Sequence, residues 1–516
     1  MVKKPNILFI TSDMQRGDCF GAFEARKARA PHVERMARNG VRFSSCITPN
    51  LVCMPARASI LTGQLPLTHG VHDNGINLQN FQAATGFAAR LTKAGYNTGF
   101  IGKAHFSTFE TFAPTGRPEC RSSSADYDEN WFGPYMGFEH VELVTMGHLH
   151  RKRPPERPPH GQHYERFLYS RGRDENEGWD LHVTGAPPDT GAANTWNSQL
   201  PEAWHHSNWT ADRTIAFLDE QDSSKPFCAW TSFPDPHHPF CPPEPWSRLH
   251  PHEDIDLPEH RTEDLDRRPW WHKASLEGDP KIDDPRLAEH RKKVSRLSAQ
   301  TDEQLRHMTA NYYGMISLID HNVGRILSAL KDRGMAENTI VIYTSDHGEF
   351  LGDHGLYLKG PMPYDGLLRV GLVVTGPGIS AGHVVDDPVS TLDLAATFYD
   401  WAGIEKPEDV QSDSLRSMIE GKQGMSRDVA YSEWRMLPAR CGIDLDLRTV
   451  RTKTHKLSIE KNSDEGEMYD LYNDPHEMDN VYNDPAYGNV QKELEDMIEE
   501  RPGKMLSELP EPVGIY

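Results

Sequence analysis

Residues 6–11, NILFIT, form a β-branched, apolar run with no polar alternation inside it. A strand exposed on one face would alternate apolar and polar side chains, so this one is expected to be buried on both faces of a sheet. Similar runs recur as a strand at about 96–102, as PFCAWTSF, as TIVIYTSD and as RVGLVVTG. Helical segments lie between them. PHVERMARNG has Pro31 at its start and Gly40 just past its end, the usual asymmetry of helix termini. GFAARLTKAG, a long amphipathic stretch over about 302–333, and TLDLAATFYDWAG complete the alternation. Strands alternating with helices predict an α/β fold with a large, parallel-rich sheet sandwiched by helices.

Two stretches differ in texture. Residues 107–300 are rich in Pro, His, Arg, Asp and Trp with weak periodicity, and are expected to form substrate-shaping insertions over the sheet. The histidine pairs His148/His150 and His205/His206 fall there and are expected to be solvated loop residues, since no carboxylate or cysteine partners them in sequence. After about residue 425, TVRTKTHKLSIE and GEMYDLYNDPHEMDNVYNDPAY suggest a smaller antiparallel sheet, closed by a helix over about 488–500. The expected division is 1–425 for the large domain and 426–516 for a small C-terminal α+β subdomain. A chain of 516 residues is long for one compact core and fits that division.

Composition excludes some partners. A net charge of −21 argues against nucleic acid, which needs a basic surface, but leaves room for a local cationic cleft. No apolar run approaches the length of a membrane span, and MVKKPNILFITSD is expected to open a strand, not a signal peptide. The seven cysteines (19, 46, 53, 120, 228, 241, 441) are scattered and lack metal-like spacing, which fits a reducing cytoplasm. In that setting the sequon at Asn208 carries no meaning.

Catalytic residue types gather where strands end. ILFITSD delivers Asp13, TGFIGKAH delivers Lys103 and His105, TSFPDPHH delivers His237 and His238, and VIYTSDH delivers Asp346 and His347. Open α/β sheets bind ligands beyond the carboxyl ends of their strands. Asp13, Asp346 and His347 are oxygen and nitrogen ligands for one divalent cation. Arg57, Lys103 and Lys359 add positive charge. A cation with several basic side chains suits the transfer of a charged oxyanion, sulfate or phosphate. The stretch NLVCMPARASILTG, residues 50–63, places Cys53 at the start of a short helix ending at Gly63. Free backbone N–H groups there favour an anion, and Arg57 lies one turn on. A reactive atom in an anion-binding cup and a merely buried cysteine are both compatible with this stretch alone.

These motifs together resemble type I, formylglycine-dependent sulfatases of the alkaline phosphatase superfamily, over about residues 5–480. CMPARASILTG matches the C-x-P-x-R…T-G signature, GYNTGFIGKAHF the GK-x-H segment, TSDHGEFLGDHGLYLK the metal-binding segment with its lysine, and MYDLYNDPHEMDNV a C-terminal motif. The resemblance implies an alkaline phosphatase-like sheet and hydrolysis of a small organic sulfate monoester. It implies that a modifying enzyme oxidises Cys53 to Cα-formylglycine, whose hydrate attacks sulfur with one hydroxyl on the metal. It also implies roles for side chains: Arg57 holds the hydrate and metal site, His105 handles the second hydroxyl, Lys103 and Lys359 bind the sulfate, His237 protonates the leaving oxygen, and Asn74 touches the transferred group. His238 is expected to be structural.

Two departures from the family pattern stand out. Asp13 is followed by Met14 where a second ligand is usual, and a thioether suits a hard cation poorly; that ligand is expected to be missing, replaced by water or supplied from elsewhere, with Gln15 one candidate. His347 stands where many sulfatases have Asn, shifting the expected ion from Ca2+ towards Mn2+. Asp-His also occurs in related phosphonate monoester hydrolases and choline sulfatases, so a phosphonate monoester or phosphodiester is the alternative substrate. A non-catalytic anion-binding relative is a third reading. The sequence leaves assembly into a homo-oligomer open.

Overall fold

The computed structural model describes residues 4–21, 26–145, 157–262, 264–422 and 426–516; His148 and His150 lie outside them. The strands of the large sheet are β1 (Asn6–Ser12), β2 (Val41–Ile47), β3 (Asn97–Lys103) and β4 (His140–Val144). After a two-residue pair, β5 (Gly185–Ala186) with β6 (Asn197–Ser198), come β7 (Phe227–Ser232), β8 (Thr339–Ser345), β9 (Arg369–Thr375), β10 (His383–Val385) and β11 (Val389–Ser390). The sheet has nine strands in the order β10-β2-β9-β8-β1-β7-β3-β4, with β11 also pairing β2. Only β9 runs antiparallel to its neighbours, β2 and β8.

The four strands that end in polar residues are consecutive, β8-β1-β7-β3, and mutually parallel. Their carboxyl ends therefore share one edge, which brings together residues more than 300 positions apart in sequence. The register fixes it: Ser12 pairs Ser345, and Thr11 pairs Ser232.

Burial on both faces follows from the apolar runs. In β1, Ile7 and Phe9 join a core with Phe87, Phe100, Trp230 and Phe398, while Leu8 and Ile10 join another on the opposite face. The helices Phe87–Lys93 and Asp393–Ala402 contribute to the first core, and Asp302–Asp332 to the second. The Phe9 ring centroid lies 4.8 Å from that of Trp230 and 5.4 Å from that of Phe398. Such ring pairs contribute about 0.5–1.5 kcal/mol each beyond their buried area. Thr301 and Gln304 form a capping box at the start of Asp302–Asp332, satisfying N–H groups the helix leaves open.

Part of the 107–300 stretch is regular, contrary to the expectation of loops throughout. β4 extends the sheet beside β3, and His206–Asp219 is a helix. The buried face of that helix includes Ser207, Thr210, Ala211 and Thr214, so an apolar-periodicity reading passes over it. His205 and His206 are correspondingly not solvated: both are buried, and His206 Nε2 lies 3.5 Å from Asp235 Oδ1. Their carboxylate partner comes from the end of β7, thirty residues on.

The antiparallel expectation near the C-terminus holds. β12 (Ala430–Met436), β13 (Leu445–Arg451), β14 (His455–Glu460) and β15 (Glu465–Asp470) pair in sequence order. The helix Gly488–Glu499 lays Leu494 and Ile498 into a core with Val450 and Leu457. Among the described residues no helix is long and apolar enough to cross a membrane.

Candidate active site

Cys53 is the first residue of a fully buried helix, Cys53–Thr62, that closes on Gly63 in the left-handed conformation (φ 69°). Asn50 Oδ1 accepts from Val52 N–H at 2.9 Å, and Asn74 Oδ1 accepts from Met54 N–H at 3.0 Å. These bonds satisfy donors that a helix start leaves open and fix the thiol's position.

One side of Cys53 is acidic. Asp13, Cys53, Asp346 and His347 are all buried, and one donor atom from each lies within 4.8 Å of the others. His347 Nδ1–H donates to Gly348 O at 2.9 Å, which aims Nε2 at Cys53 Sγ, 3.1 Å away. Burial opposes a charge on the ring, but Asp346 raises the imidazole above its usual range. Arg57 is wholly buried and ties the group together. Its Nε donates to Asp346 Oδ2 at 2.8 Å, Nη2 to Asp13 Oδ2 at 3.2 Å and Nη1 to Ser232 Oγ at 2.8 Å. Burial, then Asp346 and Cys53, push the Asp13 carboxyl up to about 6. Asp346 moves down: burial opposes this, but Arg57 and then His347 outweigh it. Two carboxylates and an imidazole suit a divalent cation with borderline ligand preference, so the donor set fits.

The other side is basic. Lys359 Nζ lies 3.0 Å from Cys53 Sγ, 3.1 Å from His237 Nε2 and 3.4 Å from His347 Nε2. Lys103 Nζ lies 3.9 Å from Cys53 Sγ and forms an ion pair with Asp13. Burial disfavours a Cys53 thiolate, but Lys103, Lys359 and His347 outweigh it and hold the thiol well below its ordinary range. His237 Nδ1–H donates to His238 O at 2.6 Å, so its Nε2 faces the site. Burial first, then Lys359, hold His237 well below the usual imidazole range. His105 is held down at about 4, chiefly by burial. Its backbone is left-handed (φ 52°), held by N–H donation to Glu119 Oε2 at 2.5 Å.

A cavity of about 60 Å³ opens beside these groups, lined by Cys53, Asn74, Lys103, His105, His237 and Lys359, and by His238. The structure thus brings the candidate residues together: Asp13, Asp346 and His347 at the cation side with Arg57 bonded to both carboxylates, Asn74, Lys103, His105, His237 and Lys359 around the cavity, and Cys53 between the two groups. His238, expected to be structural, also forms part of the wall, its ring stacked 4.1 Å from His237. Met14 is no ligand. Its backbone is left-handed (φ 68°), fixed by N–H donation to Asp346 Oδ1 and acceptance from Tyr312 Oη, and its side chain joins the second core. Gln15 does not replace it, because its amide bonds Cys19 O and Tyr343 Oη. Sequence reasoning missed Arg291, Arg440 and Tyr516, which line the same cavity. Arg291 belongs to PRLAEHRKKVS, whose charge pattern is that of an ordinary solvated helix.

The sulfatase family model matches residues 5–404, and the model of the N-sulphoglucosamine sulphohydrolase C-terminal region matches 352–504. An arylsulfatase of Clostridium perfringens is 31% identical, the match covering 92% of this chain and 89% of the relative. A solved enzyme in complex with its substrate D-glucosamine-2-N,6-O-disulfate superposes with TM-score 0.73 at 26% identity, covering 96% and 97% of the two chains. The phosphonate monoester hydrolase of Agrobacterium radiobacter gives TM-score 0.74 at 26% identity, covering 96% and 95%. The chain belongs to the sulfatase family. It is a sulfuric ester hydrolase with the alkaline phosphatase superfamily fold.

Proposed function

We propose that the chain hydrolyses a small organic sulfate monoester using a Cα-formylglycine made from Cys53 by a modifying enzyme, with one divalent cation. The observation that carries this reading is the position of Cys53 between an acidic, metal-ligating side and a basic, anion-binding side. Asp13, Asp346 and His347 would hold the cation, which supplies Lewis-acid activation of the attacking oxygen. The modified residue would supply that oxygen as a hydrated aldehyde. Lys103 and Lys359 hold the sulfate oxygens, and Asn74 fixes the helix start beneath them. Arg57 keeps both carboxylates in place. His237 gives a proton from Nε2 to the leaving oxygen: an arriving anion offsets Lys359 and lets the ring carry that proton. His105, bonded to Cys53, takes the proton whose loss releases sulfate. The imidazole of His347 favours Mn2+ over Ca2+. Seven buried thiols, none in a disulfide, support a reducing, cytoplasmic setting.

The metal reading has a direct test in calorimetric titration of chelator-stripped protein with Mn2+. Burial pushes the Asp13 carboxyl up to about 6; burial opposes a charge on His347, but Asp346 raises that imidazole above its usual range. Both groups must lose a proton to bind the cation, so affinity is expected to fall as the pH drops. The fall begins above about pH 6 through His347 and steepens below it once Asp13 also takes up a proton. Asp346→Asn is expected to weaken binding by more than about tenfold.

The phosphonate reading is favoured by the fold likeness to a phosphonate hydrolase, and Lys103 opposes it. A phosphonate ester offers carbon where a sulfate offers oxygen, so the N–H that Lys103 turns to that oxygen loses its acceptor while its ion pair with Asp13 remains. An unsatisfied buried donor costs on the order of 1–3 kcal/mol, which is roughly five- to two-hundred-fold in rate. The enzyme is therefore expected to show higher kcat/KM for a 4-nitrophenyl sulfate than for 4-nitrophenyl phenylphosphonate. Lys103→Ala is expected to narrow the gap by harming the sulfate more; equal losses, or a wild-type preference for the phosphonate, overturn the sulfate assignment.

A further inference from the structure

The cavity beside Cys53 has a second cationic element that no step of sulfate transfer uses. Arg291, on the helix Pro285–Ser295, lines it together with Val294 and Ser295 of the same helix and with Arg440. Arg440 is matched: Nη1 donates to Asp73 Oδ1 at 2.6 Å, and its guanidinium lies 4.8 Å from the Trp434 ring centroid. Arg291 is not. It is only 4% exposed, and among the described residues its single hydrogen bond runs from Nη1 to Ile515 O at 2.7 Å, with no carboxylate at ion-pair distance. A guanidinium carries five N–H donors in a planar fork, so most of the fork lacks a protein acceptor.

Burying an unpaired charge is costly, and chains seldom keep one without a partner. A larger cavity elsewhere, of about 750 Å³, shows the contrast. Two of its arginines are neutralised in place: Arg16 meets Asp353 at 2.7 Å and Arg26 meets it at 2.6 Å. Arg291 instead stands beside another arginine, and burial with Arg440 pulls its pKa down to about 9, so it is still charged at neutral pH.

We propose that Arg291 is a specificity residue whose fork receives a second anionic oxygen group, a carboxylate or a further sulfate, on the organic portion of the substrate. This rests on the sulfatase reading above and narrows it: the substrate is a dianion, with one charge at the transferred sulfate and one on the portion left behind. A neutral aryl or alkyl portion leaves the fork unsatisfied. A planar, two-oxygen anion fits it by paired N–H···O bonds.

The test is a set of aryl sulfates matched in size at each ring position. Carboxyphenyl sulfates are compared with carbamoylphenyl sulfates, and sulfonatophenyl sulfates with sulfamoylphenyl sulfates; the two pairs distinguish carboxylate from sulfate-like recognition. At one or more positions the wild-type enzyme is expected to prefer the anion over its neutral partner by at least about tenfold in kcat/KM, the range of a charge-assisted bond. Arg291→Gln is expected to bring that ratio close to one, and Arg291→Lys to keep part of it. Thermal melts show whether each variant is folded, and the ratio is unaffected by how much folded enzyme is present. Turnover of the neutral esters without an anion preference at any position, or an unchanged ratio in Arg291→Gln, overturns the inference and leaves the sulfatase reading standing. No turnover of any ester overturns both.

Discussion

A Cys53→Ala variant is expected to lose at least about 10³-fold in kcat on every sulfate ester, the scale on which enzymes respond to removal of a nucleophile. Alanine offers no attacking oxygen and no carbon that can become an aldehyde. The lysines, His237 and the other cation ligands, Asp13, Asp346 and His347, remain, so binding is expected to persist while turnover is lost. Inorganic sulfate titrated into the variant checks the first half, and multiple-turnover assays the second. Mass spectrometry of the peptide spanning residue 53 completes the test, since active wild-type protein is expected to carry formylglycine there. Full activity with an intact thiol would falsify the proposed nucleophile.

Arg57→Met is expected to destabilise the metal-free protein by about 3–5 kcal/mol, the usual effect of stripping one partner from a buried ion pair. Two carboxylates, Asp13 and Asp346, would then face each other beside Cys53 with Lys103 and His347 left to offset them. Repulsion in a dry site is strong, so one carboxyl is expected to take up a proton or the β1 and β8 ends to separate. A divalent cation supplies the missing charge. Melting temperatures with chelator and with Mn2+ are therefore expected to diverge more in the variant than in the wild type. An equal separation in both proteins would mean that the carboxylates do not share one cation.

The candidate site was legible because its residues follow apolar runs directly. Asp13, Lys103, His237 and Asp346 sit at or just beyond the ends of adjacent parallel strands, so sequence position translates into place. Other features depend on pairing that no local pattern carries. Asp235 meets His205 and His206 from another element, and the small-residue face of His206–Asp219 imitates a loop. Met14 was legible as a poor ligand, but its left-handed backbone, which settles where the side chain goes, is imposed by Tyr312 and Asp346. Arg291 shows the limit most clearly: within a run of mixed charges, nothing local separates a guanidinium facing a cavity from one facing water.

The shared strand edge has an evolutionary consequence. The groups proposed for bond breaking are mostly inherited as part of the sheet, and shifting β1, β3, β7 or β8 by one residue would displace several at once. Arg291 and Arg440 hang on a short helix and a single turn that no strand register constrains. Lineages can therefore exchange the recognition wall piecemeal, acquiring or losing affinity for a second charge while the transfer chemistry is passed on intact.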